Sequence, residues 1–377
     1  MEGEDEESDN PRAFSKASVY KRMIIVVAGA VMNILFGFAL MMITLLPNEV
    51  FSSTTVSSFA PYSFTAVTGL EEGDEIIEIN DYKINTSTDF SFAIYTMPIK
   101  EVDGSTLEIY KEDCLFCLRN HCATISQSAN EEQIKSIYDI WVKGFDKIIG
   151  ASDKDSAYSL MCEYIDKISE ALSLDKVDTY PEIEEKETRK RFNTSVTVIR
   201  DDKELVLEDV DFFTYLDSAT EEPALSIDFY VEPIEKSFTT LISQAFKNTV
   251  AVTRMVWSSF VGLITGQFGI NEVSGPVGLA SAITDVASES LKVGFMKAVM
   301  SIVYVMTVIT INLGVVNMLP FPALDGGRFV MLLIEAVFKK RVPQRVEGII
   351  NGVGLALLLL LMAVITFKDI WVLIFGG

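Results

Sequence analysis

Three stretches without a charged residue, 23–46, 298–324 and 349–367, constrain this chain more than any other feature of its sequence. A helix of about 20 residues, rising ~1.5 Å per residue, crosses an apolar slab about 30 Å thick, and each stretch meets that length. The chain is therefore expected to be a multi-pass membrane protein with at least three helical spans. The first stretch is too long for the apolar core of a signal peptide and no small-residue cleavage site follows it, so it is expected to stay in the mature protein. Lys16, Lys21 and Arg22 precede it and Glu49 follows, while Arg328, Lys339, Lys340, Arg341 and Arg345 lie between the second and third stretches. Basic residues mark cytoplasmic ends, so both loops place the long middle of the chain outside the cytoplasm.

A net charge of -22 beside 49% hydrophobic residues separates an acidic aqueous part from the apolar spans. The acidity of that part argues against nucleic acid, whose phosphates it would repel. Four cysteines are too few for a disulfide framework at this length. The expected organisation is an acidic cytoplasmic segment over 1–22, a span over 23–46, a β domain formed by 47–100 with 192–232, and a helical insertion over 101–191. There follow an amphipathic, interfacial region over 233–297, a span over 298–327, a basic cytoplasmic loop over 328–348, a span over 349–367 and a tail over 368–377.

Within the acidic part, residues 69–84 alternate apolar and polar around Ile77 and Ile79, with Gly73 and Asp74 as a turn. Residues 194–210 read as two strands joined at Asp201, Asp202 and Lys203. The sequence GLEEGDEIIEINDYKI resembles the core of PDZ domains, and VTVIRDDKELVL resembles their closing hairpin. The resemblance implies a sheet edge that docks extended peptide; a generic β sandwich is the alternative. In the insertion, Ile134, Ile137, Ile140 and Trp141 form one helical stripe, Asn130 with Gln133 fits a capping box at its start, and Gly150 fits its end. A second helix is expected over 155–174. Residues 234–264 read as an amphipathic stretch, lying either at the membrane surface or under the β domain.

The densest chemistry is TINLGVVNMLPFPALDGGRF, residues 310–329. Asn312 and Asn317 are amides at membrane depth, Pro320 and Pro322 forbid a continuous helix, and two glycines follow the ionisable Asp325. A carboxylate near hydrocarbon costs about 2.5–3.5 kcal/mol, so a partner such as a metal is expected, unless Asp325 caps a helix at the interface. The motif Asn-x-x-Pro-x-Pro-x-Leu-Asp-Gly, at Asn317, Pro320, Pro322, Leu324, Asp325 and Gly326, is similar to the second signature of site-2 proteases, zinc metalloproteases that cut within membranes. SGPVGLA, residues 274–280, resembles the segment that precedes that span in the bacterial regulator-of-sigma-E type.

The resemblance implies that Asp325 is a zinc ligand and that Asn312, Asn317, Pro320 and Pro322 position a membrane-protein substrate as an extended strand. The site-2 protease pattern also needs His-Glu-x-x-His on its first membrane helix, for two ligands and the general base. This sequence has one histidine, His121, in the insertion. No general base is therefore present, and the expectation is a chain that lacks a fourth, N-terminal membrane helix, with Met1 an internal methionine. Gly29 and Asn33, in VAGAVMN, resemble a Gly-Pro-x-x-Asn element of the second membrane helix and stand either for helix packing or for support of the site. Cys114, Cys117, His121 and Cys122 form C-x2-C-x3-H-C, four soft ligands for a structural zinc, but the spacing is not that of a finger or knuckle; a Cys114–Cys122 bridge and free thiols are equally open. The expected function is regulated intramembrane proteolysis of membrane-anchored regulators; the alternatives are a non-catalytic peptide-binding protein of the cell membrane and, more distantly, a transporter with a broken helix.

Overall fold

The first uncharged stretch lies inside helix α1, Val19–Leu45, of the computed structural model, which describes residues 14–375 except 98, 175–176, 178, 184–187, 193, 211, 217–222, 270–272 and 341–342. Most of the acidic segment expected over 1–22 lies outside the described residues. After α1 come β1 (Val50–Phe59), α2 (Phe64–Val67), β2 (Glu75–Ile79), β3 (Tyr82–Lys83), α3 (Ser87–Tyr95) and β4 (Ile99–Asp103). The helices α4 (Leu107–Ser126), α5 (Glu131–Ile149) and α6 (Lys154–Ala171) follow, then β5 (Thr188–Phe192), β6 (Val196–Arg200), β7 (Lys203–Leu207), β8 (Phe213–Leu216), β9 (Pro223–Ser226) and β10 (Phe229–Glu235). The chain ends with α7 (Phe238–Thr265), α8 (Pro276–Val293), α9 (Phe295–Asn317), α10 (Asp325–Phe338) and α11 (Gln344–Phe375). Contacts divide it into a helical unit, Met1–Phe51 with Glu235–Gly377, and a mixed unit, Ser52–Ile234.

In the mixed unit the sheet has the order β10-β1-β2-β6-β7, with β3 on β2. Antiparallel pairing of β2 and β6 sets Ile76 opposite Val198 and Ile79 opposite Val196, and these four side chains are fully buried with Val56 and Leu70. The hairpin from β6 to β7 turns on Asp201 and Asp202 at φ 51° and 57°, the left-handed pair that suits the twist of a two-residue hairpin. Arg200, the last residue of β6 before that turn, grips the fully buried Asp74 through Nε and Nη2 at 2.7 Å each and donates to the Gly69 carbonyl.

A second core joins α4, α5 and α6 around Trp141, Ile137, Leu115, Leu118, Met161 and Ile165. The Asn130 capping box forms, with Gln133 N donating to Asn130 Oδ1 at 2.9 Å and Asn130 N to Gln133 Oε1 at 3.0 Å. Asp153 caps α6, so that helix begins one residue ahead of expectation and stops at Ala171. Helix α4 is absent from the sequence-based expectations, because its buried stripe of Ile109, Leu115, Leu118 and Cys122 is diluted by Arg119, Asn120 and His121. The strands β4 and β5 pair from Ile99↔Phe192 to Asp103↔Thr188, so the chain enters and leaves the three-helix bundle side by side. Arg119 Nε of α4 donates to the Tyr62 carbonyl at 3.2 Å, and Asp228 receives Phe64 N at 2.6 Å and Thr65 Oγ1 at 2.5 Å.

Three helices among the described residues are long and apolar enough to cross a membrane, in α1, α9 and α11. Each departs from its expected bounds for a physical reason. Helix α1 starts at Val19, before the uncharged stretch, and buries Arg22 in a 2.6 Å ion pair with Glu335. Helix α9 stops at Asn317, because Pro320 and Pro322 offer no amide hydrogen, and the basic loop expected over 328–348 is helical up to Phe338. Helix α11 runs through Lys368 and Asp369 to Phe375, since the Asp369 carboxylate receives Gly275 N and Gly278 N at 2.9 and 2.8 Å. The amphipathic stretch expected over 234–264 forms one continuous helix, α7, which belongs to the helical unit and buries Ala245 and Val252 beside Met41 and Ile311. Helices α1 and α9 lie so close that a Cβ on Gly37 would fall 2.4 Å from Ile311 Cγ1, the small-residue contact expected where van der Waals packing drives association.

Candidate functional site

The turn between α9 and α10 is built by what its residues lack. Past Asn317, Met318 N and Leu319 N still reach back to the carbonyls of Val315 and Val316 at 3.0 Å. Pro320 and Pro322 then break the ladder. Ala323 sits at φ 73°, in the left-handed region that a residue with a Cβ enters at a cost of about 1–2 kcal/mol. Its N–H donates to Asn351 Oδ1 on α11 at 3.2 Å.

Asp325 is the first residue of α10, where the helix dipole favours a negative charge. The two glycines behind it allow α10 to start against the turn itself. A Cβ on Gly326 would lie 2.2 Å from the Leu319 carbonyl oxygen, and one on Gly327 would lie 2.3 Å from that of Phe321. From the other side, a Cβ on Gly354 of α11 would lie 2.5 Å from Pro322 Cβ. The turn is thus seated on α11, and Asp325 is carried to α1, where its Oδ2 stands 3.6 Å from the place a Cβ on Gly29 would occupy.

Asp325 and Gly29 are therefore brought together. Asn33, one turn along α1, lies at the α1–α9 crossing, its Cβ 3.2 Å from the place of a Cβ on Gly314. Asn317 and Pro322 are half-buried in the turn, whereas Asn312 and Pro320 are exposed. Sequence reasoning missed Asn351 and Gly354. Their signal was faint: an amide within an apolar run, and a glycine three residues on, which shares its helix face. It also missed Asp369, whose carboxylate explains the glycines of SGPVGLA: they let two backbone amides at the start of α8 reach it.

Cys114, Cys117, His121 and Cys122 lie on α4, in the other unit. Eight residues of helix separate Cys114 from Cys122 by ~12 Å, beyond the reach of a disulfide, and all four cysteines are free thiols. Burial pushes the Cys114 and Cys122 thiols up to about 12, which makes them inert core residues. Burial also lowers the His121 pKa, and its Nε2 is enclosed without a hydrogen-bond partner.

Among the described residues, no group of three or more His, Cys, Asp or Glu side chains gathers to hold a metal. A catalytic zinc takes three protein ligands and a water, so Asp325 by itself does not complete such a site. Among the described residues, Asp325 offers one carboxylate toward such a centre.

Comparison with known proteins gives these features a context. A family model described as peptidase family M50 matches residues 1–361. The chain is similar to the zinc metalloprotease RasP of Geobacillus kaustophilus, at 42% identity over 37% of this chain and 31% of that protein. It is similar over 98% of its own length to a putative zinc metalloprotease of Clostridium acetobutylicum, at 26% identity and 78% coverage of that protein. The regulator of sigma-W protease RasP of Bacillus subtilis shares 38% identity over 37% of this chain. The matches to the two RasP proteins span about a third of their length, 31% in each.

Proposed function

Because the chain belongs to peptidase family M50, the site-2 proteases, we propose that it serves as part of a zinc metalloendopeptidase that cuts membrane-anchored regulatory proteins, with Asp325 as one zinc ligand. The single observation that carries this reading is the carboxylate of Asp325 standing at the bare face of Gly29. A helix-start carboxylate that served only as a cap would need no such arrangement. In this reading Asn312, Asn317, Pro320 and Pro322 present an extended substrate strand, and Gly29 with Asn33 support the site from α1. Residues 47–100 and 192–232 act as a PDZ-like filter for polypeptide, carrying the insertion 101–191. The basic residues Lys21, Arg22, Lys339, Lys340 and Arg345 support a cytoplasmic side for the Asp325 end of the spans and an extracytoplasmic one for that filter.

A zinc at Asp325 needs two more ligands and a general base, and with one histidine in the sequence these come from beyond residues 1–377. The coding sequence read in frame ahead of Met1 tests this. It is expected to encode an apolar helix with His-Glu-x-x-His, and the longer chain is expected to retain one zinc that Asp325→Ala removes. A stop codon immediately ahead of Met1 would instead leave a protein that binds membrane peptides without cutting them.

A further inference from the structure

The turn that carries Asp325 is held from α11 by two features that no motif of the sequence singles out. Asn351 and Gly354, three residues apart, share one face of α11. Asn351 Oδ1 accepts Ala323 N at 3.2 Å, and the bare face of Gly354 receives Pro322. Between them they grip the two residues that set the direction of the chain before Leu324 and Asp325. Ala323 is the strained member of that pair, at φ 73° with a Cβ. A left-handed alanine persists where its surroundings over-determine it, and the hydrogen bond to Asn351 is such a constraint.

We propose that Asn351 is a positioning residue for Asp325: by accepting the Ala323 N–H it holds the turn in the left-handed conformation that delivers the carboxylate to Gly29. Gly354 gives the turn its seat, and Asn351 gives it its direction. The inference deepens the reading of Asp325 as a zinc ligand and rests on it for its functional meaning, but the geometry it describes needs neither metal nor substrate.

That independence shapes the test. In membranes containing the full chain, the pair Gly29→Cys with Asp325→Cys is oxidised with copper phenanthroline, and the disulfide-linked peptides are quantified by mass spectrometry. Adding Asn351→Ala is expected to lower the initial cross-linking rate about five- to thirtyfold, the population loss that matches release of a left-handed alanine. Adding Ala323→Gly to Asn351→Ala is expected to restore the rate to within about twofold, because glycine enters that region without a steric cost. A control pair, Gly37→Cys with Ile311→Cys, reports the α1–α9 contact and is expected to keep its rate throughout. An unchanged rate in Asn351→Ala, a failure of Ala323→Gly to restore it, or an equal fall at the control pair would each overturn the proposal. Failure of the zinc-ligand reading would show separately, as a longer chain whose zinc is indifferent to Asp325→Ala.

Discussion

In the unit Ser52–Ile234 the fully buried apolar side chains are large, Trp141, Tyr62, Leu118 and Ile165 among them, and the buried carboxylates Asp74, Asp89 and Asp228 are each hydrogen-bonded. In the helical unit neighbouring segments approach closely at glycines, Gly37, Gly314 and Gly326, while Leu360, Val364 and Phe375 are exposed. The difference lies in the solvent each unit answers to. Water drives large apolar side chains into a core, whereas lipid is as apolar as leucine, so helices there associate through close backbone approach and a few polar contacts. The same residue type therefore has opposite weight in the two units.

Truncating Trp141 breaks or confirms the first half of that contrast. Trp141→Ala is expected to cost about 3–5 kcal/mol, read as a lower denaturant midpoint for the transition of the mixed unit in the full-length protein. Leu360→Ala, an equally apolar truncation on α11, is expected to leave thermal unfolding in detergent nearly unchanged; an equal cost at both positions would abolish the contrast. Arg200→Ala strands the buried Asp74 carboxylate and is expected to cost about 3 kcal/mol, with Arg200→Lys recovering part of it because the paired contacts at 2.7 Å need a guanidinium.

In the helical unit the sensitive change is enlargement. Gly37→Leu forces a side chain into Ile311 and is expected to cost about 1–3 kcal/mol, measured as loss of thermal stability in detergent. Back in the mixed unit, Asn130→Ala removes the α5 capping box for about 1 kcal/mol in the same denaturant assay.

The smallest effect is one of pH. Burial holds the folded pKa of His121 below its ordinary value, so the unfolded chain takes up the proton first as the medium is acidified. Its contribution is fully present above the ordinary histidine value of about 6.5 and declines as pH falls through the folded pKa. The denaturant midpoint of the mixed unit is therefore expected to drop as the pH is lowered below the ordinary histidine value, and His121→Gln to flatten that slope. A midpoint that rose with acid over this range would contradict the burial of a neutral imidazole.

What could be read from the residues and what could not follows the range of the interactions. The Asn130–Gln133 box and the Asp201–Asp202 turn are written in neighbours, and both form where local chemistry puts them. The uncharged stretches located the spans, but their ends moved, because Arg22 finds Glu335 and Asp369 finds the amides of Gly275 and Gly278 across hundreds or tens of residues. Helix α4 escaped because a stripe that faces other helices need not be densely apolar when those helices supply the rest of the core. At the site, Pro320, Pro322 and Asp325 stood out as costly groups in an apolar setting. Gly29 was visible by resemblance alone, and Asn351 and Gly354 left a faint signal only, since an asparagine and a glycine on a distant span acquire meaning through the turn they touch.

We propose Asp325 as one ligand of a zinc centre that residues 1–377 by themselves do not complete. Zinc content by elemental mass spectrometry, on residues 1–377 purified from membranes and on the same chain carrying Asp325→Ala, tests it most directly. Far less than one zinc per chain is expected in both. One zinc per chain in residues 1–377, lost in Asp325→Ala, would contradict it.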